Sequence, residues 1–159
     1  MDYTIYQKVK AYFIGVPFTE WELLDLIIVL DKQQKENGKR NLKMAQWLEF
    51  MISLLMLPLK NESCRNLGII NIRNYIIGNL FVLHPFELRE NKACLKYMQF
   101  RSGNQGVRSD IDFLIKLIDS RLDSHVALDQ VKDVNIHEGS KKSFGRVTGL
   151  VSIHDHRNR

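Results

Sequence analysis

Residues 18–30 read FTEWELLDLIIVL, and the fold turns on this stretch. Thr19 is placed to cap a helix, and Glu22, three residues on, can reach back to the N–H of the cap. Phe18 before the cap and Leu23 beyond it are placed to form the hydrophobic staple that accompanies such a start. From Leu23 to Leu30 only Asp25 is polar. A helix with this pattern cannot show one face to water along its whole length, so neighbours must surround it. The expectation is a central strut over about residues 20–36, enclosed by the segments at 2–14, 42–57 and 64–84.

The flanking segments read as helices for local reasons. In residues 2–14, Ile5, Tyr6, Val9, Tyr12 and Phe13 recur at spacings of three and four, which is one helical face. Gly15 stops that helix, and Pro17 prevents it resuming. The strut ends in the polar run DKQQKEN, with Gly38 as its C-terminal glycine. Asn41 can cap a third helix over 42–57, with Leu42, Ala45, Leu48, Ile52 and Leu55 as its stripe and Pro58 as its stop. Pro85 suits the first position of a helix over 85–101. RSGNQGVRS, from Arg101 to Ser109, reads as a loop. Ser109 then caps a last helix over 110–133, whose apolar side is Ile111, Leu114, Ile115, Ile118 and Leu122.

Residues 64–84 admit two readings. Ile69, Ile72, Ile76, Leu80 and Leu83 fit a helical face, yet GIINIRNYIIGNLFVL is rich in β-branched and aromatic residues. Helical neighbours and the segment's length favour helix. The fold class is therefore all-α: a single-domain bundle of five to six helices with a flexible, basic C-terminal tail. The alternative is α+β with strands within 67–83. The domain spans 1–134 and the tail 135–159, the latter too poor in apolar residues to make its own core.

Composition narrows the function classes. With 45% hydrophobic and 26% charged residues, the chain is globular and not disordered. Its formal charge of +5 favours anionic partners: nucleic acid, an acidic protein surface, or anionic lipid less readily. Cys64 and Cys94 lie among apolar residues without a CxxC pair, which suits reduced, buried thiols. The N-terminus lacks a long apolar h-region and no run reaches the length of a membrane span. The expected location is intracellular, cytoplasmic or nuclear.

No catalytic signature emerges, and no cofactor or metal is implied. His154-Asp155-His156, with His137, offers metal-ligand chemistry, but a polar terminus is the plainer account. GSKKSFGRVTG departs from a P-loop: Gly139 and Gly145 are one residue too far apart, and Arg146 and Val147 replace the lysine and the hydroxyl residue. Nothing brings Cys64 or Cys94 to His84 or His125. Arg121 and His125, one helical turn apart, could meet a phosphate, but a solvated helix edge accounts for them.

The densest basic cluster is the joint between the second and third helices. Lys32, Lys35, Lys39, Arg40 and Lys43 stand against Glu36 alone, a net of +4. Such a joint can meet phosphates without reading bases, although aromatic rings for base stacking are missing beside it. Arg101 and Arg108 in the loop, and Lys141, Lys142 and Arg146 in the tail, extend the candidate anion contacts. The leading expectation is a non-catalytic helical module that binds an anionic partner, nucleic acid first, and that self-associates along Ile111–Val126. A peripheral membrane module using the apolar Phe50–Leu57 and the nearby basic turn, or a protein-interaction or regulatory module, is the second expectation. An enzyme without a recognisable motif is the third. The short apolar stretch Arg146–Ile153 suits addition to a sheet edge or packing on its own domain.

Overall fold

The computed structural model describes the backbone of residues 3–136 and the side chains of residues 3–124. Six helices follow in order: α1 (Tyr3–Phe13), α2 (Glu20–Asn37), α3 (Leu42–Met56), α4 (Glu62–Asn79), α5 (Pro85–Arg101) and α6 (Gln105–Ile136). The expected tail beyond Ile136, with Lys141, Lys142, Arg146, the His154–His156 group and the Arg146–Ile153 stretch, lies outside the described residues.

The helix starts follow from their caps. Thr19 Oγ1 accepts the Glu22 N–H at 3.1 Å, and the Glu22 carboxylate accepts the Thr19 N–H at 3.0 Å. This reciprocal pair satisfies two of the donors that a helix start leaves open. Asn41 accepts from Met44 N–H at 3.0 Å and Asn61 from Cys64 N–H at 3.1 Å. His84 Nδ1 accepts from Phe86 N–H at 3.0 Å, with Pro85 at the first helical position.

Strands within 67–83 do not form. The segment is α4, because Asn61 caps it and Ile72 and Ile76, one turn apart, are both fully buried. Burial of one helical stripe outweighs the modest β preference of its isoleucines. Gly68 sets how closely α4 approaches α3: a Cβ there would lie 2.8 Å from the Ser53 carbonyl oxygen.

The expected central strut is corrected in one respect. α2 buries Leu23, Leu26 and Leu30 but leaves Trp21, Ile28 and Val29 exposed. The enclosed helix is α3, whose residues Phe50 to Leu55 are all buried and which packs on α2, α4 and α5. Its run FMISLL has one polar member, Ser53, whose hydroxyl donates to the Glu49 carbonyl at 2.7 Å and so is satisfied within the helix. Because Phe50–Leu55 and Leu57 are core, the segment expected to meet a membrane is not at the surface. No described helix is long and apolar enough to cross a membrane.

The last helix starts earlier than its sequence suggests. Asn104, not Ser109, is the cap, accepting from Val107 N–H at 3.0 Å, and residues 105–109 are helical. Gly106 was a misleading loop signal, since a glycine in a first helical turn costs little once the cap is made.

Successive helices alternate in direction, which gives the bundle two distinct ends. At one end the Lys60 N–H donates to the Glu20 carboxylate at 2.9 Å, and Tyr97 Oη donates to the Tyr12 carbonyl at 2.8 Å. Tyr12 there packs edge-on against Phe13, Phe18 and Tyr97, with centroids 5.3–5.8 Å apart. These contacts gather the ends of α1, α3 and α5 with the starts of α2, α4 and α6. The other end holds the α2–α3 joint and the start of α5, tied by Lys43 to Glu87 at 3.6 Å.

Candidate anion-binding cleft

The basic joint offers fewer open charges than its sequence implies. Lys35 pairs with Asp31 at 3.0 Å, one turn back on α2. Lys43 is half-buried and pairs with Glu87, which is itself buried beneath the start of α5. Lys43 therefore ties α3 to α5. Lys32, Lys39 and Arg40 are exposed. Arg101 and Arg108 lie at the opposite end of the bundle, separated from the joint by the length of α3, about 22 Å at 1.5 Å per residue. Among the described residues, the expected anion contacts are thus split between two ends and do not share one face.

The end that holds Arg101 contains a better-built arrangement. An open cleft of about 390 Å³ lies between the α3–α4 turn and the α5–α6 turn. Leu57, Pro58, Leu59, Lys60 and Arg65 line one side, and Arg101, Ser102, Gly103 and Asn104 the other. Three cationic side chains from separate segments therefore meet around one concavity.

Each is placed by the fold. Pro58 ends α3 and turns the chain, and Asn61 restarts it as α4, so Lys60 falls at the apex of the turn. Arg65, one turn into α4, folds back over this apex. Its guanidinium donates to the carbonyls of Leu59 at 2.9 Å and Lys60 at 2.7 Å. Those two bonds hold the turn and orient the planar guanidinium at the cleft. Arg101, on the last turn of α5, donates to Tyr97 Oη at 3.1 Å and lies 5.7 Å from the Tyr97 ring centroid and 5.9 Å from that of Tyr12. Stacking on two rings limits its motion and lowers the entropy lost when it meets a ligand. Ser102 Oγ accepts the Asn104 N–H at 3.1 Å, which fixes the facing turn. Phe100, next to Arg101 in the chain, is 82% exposed.

The chemistry available here is anion contact by guanidinium and ammonium donors. The cleft lining includes no histidine, cysteine or carboxylate. Elsewhere, burial, followed by the nearby Glu90 carboxylate, pushes the Cys94 thiol up to about 11. That is the reverse of what a nucleophilic thiol needs. Burial likewise pushes the Tyr12 phenol up to about 12, against the opposing pull of Arg101. His84 serves as the cap of α5, about 15 Å along the same helix from Cys94. Among the described residues, no group of three His, Cys, Asp or Glu side chains is placed to hold a metal.

Lys60 and Arg65 were not among the sequence-derived candidates. Lys60 and Arg65 share a short stretch with Glu62, so its net charge is only +1, and local charge density is blind to Arg101, which only folding brings to them. The one signal was positional: both flank Asn61, the cap of a helix that follows Pro58. Comparison with protein-family models, curated proteins and solved structures found no match.

Proposed function

We propose that this chain is a non-catalytic, intracellular helical binding protein that contacts an anionic partner, nucleic acid in the first place. The observation that carries this reading is the convergence of Lys60, Arg65 and Arg101 on one open cleft. Guanidinium groups held in fixed orientation are suited to phosphate oxygens, which they meet with paired donors. The openness of the cleft suits a polymer backbone that passes through. Lys39 and Arg40, at the other end, form a separate contact of lower order.

The test is fluorescence anisotropy of labelled single-stranded RNA and DNA with the full chain over a range of salt. With about three phosphate contacts, the logarithm of the binding constant should fall with log salt at a slope of about −2. Binding that ignores salt, or no binding to either nucleic acid at low salt, would contradict the proposal. Retention by an acidic protein surface or by anionic vesicles in place of nucleic acid would move the partner to another class.

A further inference from the structure

One side of α2 is left open: α1 stands beside Glu22, Asp25 and Val29 across a groove, and α3 packs on Leu23, Leu26 and Leu30. Trp21, 78% exposed, and Ile28, 66% exposed, stand on one outward stripe with Asp25 and Lys32. The spacing of these four residues is four, three and four, the repeat of a coiled-coil seam. α3 covers only the opposite side, through Leu23, Leu26 and Leu30. Beside the stripe, a groove of about 430 Å³ between α1 and α2 widens the apolar surface with Ile5, Val16, Pro17 and Phe18. Asp25 and Lys32 are exposed, and neither makes an ion pair or side-chain hydrogen bond among the described residues.

We propose that this face is an isologous interface with a second copy of the chain, the two α2 helices packing antiparallel. The charges argue for that occupant. An antiparallel pair with its two-fold axis between Ile28 and Val29 sets Asp25 opposite Lys32 of the second copy. The same symmetry sets Lys32 opposite the second copy's Asp25, because an isologous contact repeats every pairing. Ile28 meets Val29 of the second copy at the axis. One acidic and one basic residue, seven apart on an otherwise apolar stripe, are self-complementary only in this antiparallel sense. A parallel pair would oppose like charges. The interface uses none of Lys60, Arg65 or Arg101, so it stands or falls apart from the anion-binding proposal.

Sedimentation velocity of the full chain over a concentration series tests it. Wild type should reach the mass of two 18.6 kDa chains. Asp25→Lys alone, or Lys32→Asp alone, turns two attractive rungs into repulsive ones and should weaken the dimer about tenfold or more. The double change D25K/K32D restores opposite charges and should restore the dimer, while thermal melts confirm that all variants fold. A wild-type chain that stays at one-chain mass at every concentration would overturn the proposal. So would a dimer indifferent to Asp25→Lys, or a double variant no better than the single ones.

Discussion

Cys94 shows what burial does to one reactive group. Its thiol is pushed from 9.0 to about 11, first by burial and then by the neighbouring Glu90 carboxylate. The unfolded chain releases this proton more readily than the native one. The stabilisation is therefore complete below about 9 and is lost as the pH rises toward 11. Wild type should lose about 2 kcal/mol more than Cys94→Ala between neutral pH and the upper end of that window. Urea denaturation of the two proteins side by side measures this difference, and equal losses would show that the thiol is not held as described. At the same scale, single residues explain why the basic joint promised more than it holds. Lys35 and Lys43 count as charges in a sequence, but Asp31 and Glu87 neutralise them in the fold. Asp31 lies one turn from Lys35 and was there to be read. Glu87 is distant in the chain and reaches Lys43 only through packing.

Among the elements, the helix starts at Thr19, Asn41 and Pro85 were legible, because a cap or an N-terminal proline acts within one turn of itself. What needs a neighbour was not legible. Apolar density in Leu23–Leu30 and Phe50–Leu57 looks alike in sequence, yet α3 is enclosed and α2 lies at the surface. The choice follows from the order in which helices stack, which neither stretch encodes alone. The loop expected over 101–109 is confined to 102–104, for a different reason. Two glycines suggested irregular chain, while the deciding bond is local and is made by Asn104. Gly68 lets α4 approach α3 closely, with its Cα side facing the Ser53 carbonyl. Gly68→Ala should cost about 1–2 kcal/mol, because the backbone must part although alanine favours helix. Gly78 has no heavy atom within 4 Å of a Cβ built there, so Gly78→Ala should stabilise by up to about 1 kcal/mol. Thermal or urea melts of the two variants, set against each other, check the close approach of α3 and α4.

For the whole molecule, alternating helix directions set charged surface at two ends and apolar surface along one flank. The α2–α3 joint keeps Lys32, Lys39 and Arg40 exposed at one end. The opposite end gathers Lys60, Arg65 and Arg101 into a cleft that no local stretch announces. The outward stripe of α2, with Trp21 and Ile28, is exposed along the flank. If the cleft end is the principal anion contact, as proposed, and the basic joint is not, the two ends differ in their response to charge removal. The most direct measurement compares two charge-removing pairs in the full chain, Lys60→Gln with Arg101→Gln and Lys39→Gln with Arg40→Gln. Both are assayed by anisotropy against the same labelled RNA at low salt, with melts to confirm folding. The first pair should weaken binding about tenfold or more and flatten the salt slope by about 1–2, while the second should change either value far less. Full retention of affinity by the first pair, with loss in the second, would contradict it.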